Sequence, residues 1–179
     1  DKVPSGKLTA TMPTSVGQIP LYYNHLNTGR PLKEGKWFTK FTSNYLDIDN
    51  DPLYPFGYGL SYTTFKYGKP TLSSNTMTNN ETISVSVDIT NTGNYDADEI
   101  AQMYIRDLAA SVSRPVKELK GFERISIKKG ETKTVTFTIT PEDLKFYNQE
   151  LEYKNEPGEF EVMVGPNSKD VQTLTFTLK

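Results

Sequence analysis

"ETISVSVDIT", residues 81–90, alternates without interruption: Ile83, Val85, Val87 and Ile89 are apolar, and Ser84, Ser86, Asp88 and Thr90 between them are polar. A period of two puts one set on each face of an extended chain, so the segment is read as a strand with one buried face. "NTGN" at 91–94 supplies the turn that closes it. Outward from this strand the same pattern recurs. In "EIAQMYIRDL" (99–108), Ala101, Met103 and Ile105 oppose Gln102, Tyr104 and Arg106, a polar face expected to be solvated or to touch neighbouring domains. "SVSRPVKELKGFERISI" (111–127) offers Phe122, Ile125 and Ile127 as anchors. After a turn at Gly130, "ETKTVTFTIT" (131–140) sets Val135, Phe137 and Ile139 against threonines.

"PEDLKFY" (141–147) opens on a proline and two acids, the composition of a helix start, with room for a turn or two. "GEFEVMVG" (158–165) and "VQTLTFTLK" (171–179) then bury Phe160, Val162 and Val164, and Leu174, Phe176 and Leu178. About seven short strands separated by turns, in roughly 110 residues, predict a mainly β fold, an immunoglobulin-like or fibronectin type III-like β-sandwich. A barrel of similar strand number is the competing architecture.

The composition narrows the partners. The chain has 179 residues, 20 basic and 22 acidic, and a net charge of −2 with both signs mixed along its length. No basic stripe is present to neutralise phosphates, so nucleic acid is not expected as a partner. No run of 18 apolar residues exists, so no membrane-spanning helix is expected. Asp1 opens no signal-peptide pattern, which places any targeting segment upstream or already removed. With no cysteine there is no disulfide, thiolate metal site or thiol nucleophile.

The first 65 residues follow neither period. "GKLTATMP" is readable as one strand stopped by Pro13, and "SVGQIPLYYN" is too short and too broken for a stable isolated helix. "YPFGYGLSYTTF" (54–65) concentrates five aromatic rings, two glycines and a proline in twelve residues. Rings of this size bury large areas, and the glycines permit close backbone approach. Three roles are open: a clamp onto protein outside this chain, filling of this domain's own core, or a stacking platform for sugars.

Three stretches together carry a family resemblance. "PSGKLTATMPTSVGQIPLYYNHLNTGRP" (4–31), then "YPFGYGLSYTTF", then a fibronectin-like sandwich containing "VKELKGFERISIKKGET" (116–132) closely resemble the C-terminal part of glycoside hydrolase family 3 enzymes, notably bacterial β-glucosidases. The resemblance implies a (β/α)8-type barrel, then an α/β sandwich domain, then a fibronectin type III-like domain. Residues 1–40 would be the tail of the α/β sandwich domain, with Leu8 to Met12 as a strand. Residues 41–68 would be an aromatic interdomain connector, and 69–179 the terminal domain. Trp37, Phe56, Tyr58, Tyr62 and Phe65 become candidate domain-junction residues. Asn24, His25 and Arg30, with Asn27, become candidate cleft-rim residues.

Retaining glycosidases need two carboxyl groups about 5 Å apart, one a nucleophile and one an acid/base. The resemblance puts that aspartate on the barrel and the glutamate on a loop of the upstream domain, so no catalytic residue is expected here and none is carried over. "DIDND" sets Asp47, Asp49 and Asp51 at alternate positions, like the start of a calcium loop. Pro52 stands where an EF-hand needs glycine and Tyr58 where it needs its bidentate glutamate. His25 is the sole histidine, which excludes a histidine metal cluster. "NET" (80–82) fits an N-glycosylation triplet, relevant only in a eukaryotic secretory setting.

The expectation is therefore a non-catalytic part of a β-glucosidase with no metal or other cofactor. Its partners would be the upstream domains of the same polypeptide and, for the whole enzyme, a carbohydrate substrate, in the bacterial periplasm or secreted. A β-xylosidase or N-acetylglucosaminidase parent is the variant within the family. A stand-alone carbohydrate-binding or adhesion module, with Trp37 as its sugar-stacking ring, is the alternative outside it.

Overall fold

The computed structural model describes residues 2–31 and 39–179. These form eleven strands and two single-turn 3-10 helices, Val16–Gln18 and Pro141–Leu144. Strand β1 is Phe65–Tyr67, β2 Thr71–Leu72, β3 Thr76–Met77, β4 Ile83–Asn91, β5 Ala97–Asp107 and β6 Glu118–Ile127. Then come β7 Thr132–Ile139, β8 Phe146–Tyr147, β9 Tyr153–Lys154, β10 Gly158–Gly165 and β11 Gln172–Leu178.

Two sheets face each other. In the first, β4 pairs antiparallel with β7 on one side and with β1 and β2 on the other. β1 and β2 are one strand interrupted at Pro70, which has no N–H to give the ladder. β3 then leaves for the second sheet and runs parallel to β11, giving the order β3-β11-β10-β5-β6. The predicted alternation translates directly into a core. Ile83, Val85, Val87, Ile89, Val135, Phe137 and Ile139 meet Ala101, Met103, Ile105, Phe160, Val162, Val164, Phe176 and Leu178. Phe160 and Phe176, opposite each other on β10 and β11, stack at 5.5 Å. The proline-led segment forms one turn, Pro141–Leu144, with Asp143 accepting from the Thr140 N–H at 2.8 Å.

Two sequence expectations fail here for geometric reasons. Phe122 is no anchor: it is 67% exposed. Ile127 pairs with Ala97 and Ile125 with Glu99, in phase with the buried face of β5, whereas Phe122 pairs with Gln102 on the opposite face. Nor is Leu8–Met12 a continuous strand. It meets residues 54–58 at two points, Leu8 with Gly57 and Tyr58, and Met12 with Tyr54, around a bend at Thr9 and Ala10.

The outer face of β5 is also not solvated. Gln102 and Tyr104 are buried, because the N-terminal segment lies across them. Gln102 donates from Nε2 to the main-chain oxygens of Gly57 (3.1 Å) and Pro166 (2.7 Å), and its Oε1 accepts from the Tyr104 hydroxyl. Burial, and to a lesser extent Tyr23, raises the Tyr104 pKa above the ordinary phenol value, so it remains a donor. Gly57 has φ +80°, and a Cβ there would collide with the Gln102 amide. Tyr23 stacks on Phe56 at 4.2 Å and sits edge-on to Tyr104 at 5.9 Å.

A second buried amide closes the end of the first sheet. Asn91 accepts from the Thr63 hydroxyl (2.7 Å) and the Gly93 N–H (3.1 Å), and donates to the oxygens of Tyr95 (2.7 Å) and Ile127 (3.0 Å). Asn91→Ala strands these groups in a dry site and is expected to cost about 2–4 kcal/mol of unfolding free energy, read by urea denaturation. Gln102→Leu keeps the volume but unpairs two carbonyls and a hydroxyl, with an expected loss of about 2–3 kcal/mol in the same measurement. A wild-type midpoint for either variant would refute the assignment.

Candidate functional site: an apolar junction on the N-terminal segment

The "YPFGY" run, 54–58, divides its rings by parity. Phe56 points toward the sandwich, where it stacks on Tyr23 and its carbonyl accepts the Ser168 N–H at 2.9 Å. Tyr54 and Tyr58 point the other way and stack on each other at 5.0 Å. With Leu8, Met12, Leu53 and Leu60 they line an open apolar groove of about 750 Å³. Leu60 is 72% and the nearby Tyr62 69% exposed. Phe65 begins β1 and packs against the core. The candidate junction residues therefore separate: Phe56 and Phe65, both half-buried, pack against this chain's own residues, while Tyr58 lines the groove and Tyr62 is exposed. Trp37 lies outside the described residues.

Beside the groove, sharing Gly6, Lys7, Gly59 and Leu60 with it, is a cavity of about 260 Å³ also lined by Ser61, Thr63, Tyr67 and Glu99. Glu99 is on the inward face of β5 and is buried. It receives the Lys7 ammonium at 3.2 and 3.3 Å and the Tyr67 hydroxyl at 2.9 Å. Burial first, and the Glu99 charge second, push the Tyr67 pKa far up, so its proton stays on the bridge between the two sheets. Among the described residues Glu99 is the one carboxylate lining this cavity, whereas retaining glycoside cleavage uses a pair.

Of the candidate rim residues, Asn24, His25, Asn27 and Arg30 are all exposed. Their loop is tied to the sandwich through main chain, with the His25 carbonyl accepting the Val116 N–H at 2.9 Å. His25 Nδ1 lies 3.0 Å from the Leu26 oxygen, and Asn27 Oδ1 accepts the Gly29 N–H at 3.0 Å. His25 and Asn27 line a groove of about 540 Å³ that also contains Asp51, Arg106, Lys117 and Glu161. Burial, then the neighbouring Arg106 charge, holds the Lys117 pKa below the usual lysine range.

The acidic loop is bound up locally. Asp51 pairs with Lys169 at 2.7 Å, and Gln18 Nε2 donates to the main-chain oxygens of Asp49 (2.9 Å) and Asp51 (3.2 Å). Among the described residues no group of three or more His, Cys, Asp or Glu side chains is placed to hold a metal. Gln18, Lys7 and Glu99 were not singled out by sequence reasoning. A signal existed for Gln18: "SVGQ" has the Ser-x-x-Gln spacing of a capping box, and Gln18 Oε1 does accept from the N–H groups of Thr14 and Ser15.

Comparison with known proteins fits this geometry. The fibronectin type III-like domain family matches residues 99–168. The chain is 54% identical over 178 residues to the periplasmic β-glucosidase of Salmonella typhimurium, covering 99% of this chain and 23% of that protein. It is 49% identical over 176 residues to a putative β-xylosidase of Formosa agariphila, covering 98% of this chain and 22% of that protein. A crystal structure of a Listeria innocua β-glucosidase in complex with gluconolactone superposes with a TM-score of 0.92 at 45% identity, over 99% of this chain and 24% of that one. The chain spans about a quarter of the length of the relatives it matches. The fibronectin type III-like sandwich and the segment before it are shared over almost the whole length of this chain with these enzymes, and the chain belongs to glycoside hydrolase family 3, matching the C-terminal part of its members.

Proposed function

We propose that this chain is the non-catalytic brace of an exo-acting, retaining β-glucosidase that removes terminal nonreducing β-D-glucosyl residues. One observation carries the reading: Tyr54, Tyr58, Leu53 and Leu60 form an uncovered apolar groove on the N-terminal segment of a chain a quarter as long as its relatives. Exposed apolar surface of this extent marks an interaction site, and the rest of the polypeptide is the partner it fits. Residues 1–40 are assigned to the upstream α/β sandwich domain, 41–68 to the connector and 69–179 to the terminal domain, with Asn24, His25 and Arg30 facing the cleft rim. By fixing the connector, the brace holds upstream carboxylates within productive geometry. Bacterial export, to the periplasm or beyond, accompanies this reading and is supported by the name of the Salmonella relative. The β-xylosidase names among the relatives favour one variant, a xylosyl-specific parent with the same brace.

The reading predicts a contrast between two preparations. Leu60→Ser and Tyr62→Ser should leave the melting temperature of this chain alone unchanged, because both side chains are exposed in it. In the intact enzyme the same substitutions should lower it by several degrees. Phe56→Ala should destabilise both, since that ring packs within the chain. Only the intact enzyme should hydrolyse an aryl β-glucoside. Equal melting shifts in the two preparations, or hydrolysis by this chain alone, would reject the brace.

A further inference from the structure

The hairpin β8–β9, a two-stranded sheet apart from the two large ones, places Tyr147 directly opposite Tyr153. Their rings lie 5.0 Å apart with planes inclined at 44°. Cross-strand aromatic pairs are common where one face is covered, but these rings are 65% and 49% exposed. The hairpin that holds them is rigidly built. Asn148 is buried, and its Oδ1 accepts the N–H groups of Glu150 (3.0 Å) and Glu152 (2.9 Å), while its own N–H donates to the Glu152 oxygen (3.1 Å). Phe146 anchors the base, buried beneath the Arg114 guanidinium at 4.5 Å. At the tip Leu151 is 79% exposed and held at φ +61°, a conformation a leucine adopts only when its surroundings impose it.

We infer that Tyr147 and Tyr153 form a secondary binding platform for neutral β-linked polysaccharide, separate from the groove that docks the upstream domains. This rests on the proposed glycosidase reading for the identity of the polymer. The C–H face of a pyranose ring stacks on exposed tyrosine, and two adjacent rings held in place before binding order little on contact. Polar groups for hydroxyls are at hand on the hairpin, whose tip carries the exposed residues Gln149 and Glu150. Charge restricts the polymer: residues 142–156 contain five acids and two lysines, which disfavours polyuronates and anionic lipid surfaces alike. Area argues against a protein partner, since a stable interface buries about 1,600 Å² and this patch consists of three side chains.

The test is affinity electrophoresis of this chain in gels containing laminarin, hydroxyethyl cellulose or polygalacturonate. Retardation is expected in the neutral glucans and not in polygalacturonate. Tyr147→Ala and Tyr153→Ala should each weaken it about tenfold, the loss of one ring's stacking. Tyr153→Phe keeps the ring and should keep the retardation, which separates binding from hairpin integrity. Migration unaffected by neutral glucans, equal retardation in polygalacturonate, or retardation unchanged in both alanine variants would overturn the platform. Aryl β-glucosidase activity of the intact enzyme is scored in parallel. Activity without glucan retention removes only the platform, whereas retention without activity removes the glycosidase reading.

Discussion

The buried amide of Gln102 is the interaction on which the arrangement of this chain depends. A strand face carrying glutamine, tyrosine and arginine would ordinarily meet water. Here two of those residues are dry, and their polar atoms are satisfied by main-chain oxygens at Gly57 and Pro166 and by each other. An unpaired amide in such a place costs more than one hydrogen bond returns, so the face tolerates the N-terminal segment in one register only. That register requires a residue without a side chain at position 57, and it sets the phase of the rings around it. Phe56 goes inward, Tyr54 and Tyr58 outward, and the apolar groove follows from the same constraint.

Much of the sandwich was legible because its strands bury one face. Ile83 to Ile89 and Val135 to Ile139 alternate in the sequence and alternate in the core. Phe122 shows where this reasoning slips: hydrophobicity alone made it an anchor, while its parity relative to Ile125 and Ile127 already placed it outside. The polar face of β5 stayed open between solvent and a protein contact for another reason. Whether Gln102 and Tyr104 are wet depends on a segment about fifty residues earlier that has no period of its own, and long-range coverage leaves no local trace. The junction was half legible. The cluster of rings announced large burial, but only the backbone at Gly57 decides which rings serve this chain and which face away.

Family membership accounts for the sandwich, and in the cavity beside the groove the Glu99 carboxylate is held by an ammonium and a phenol. A binding or bracing role needs preorganised surfaces more than reactive groups, and both the groove and the β8–β9 hairpin are of that kind.

Glu99 has a further consequence. The residue belongs to the sandwich by sequence, yet its counter-ion, Lys7, comes from 92 positions earlier. A pair with both side chains this buried is costly to break, because without Lys7 the Glu99 charge keeps only the Tyr67 hydroxyl as a side-chain partner. The fibronectin-like unit is therefore not a bead that can be cut from its string at the first strand and moved to another enzyme. In any recombined or domain-swapped glycosidase, the portable module begins upstream of Lys7.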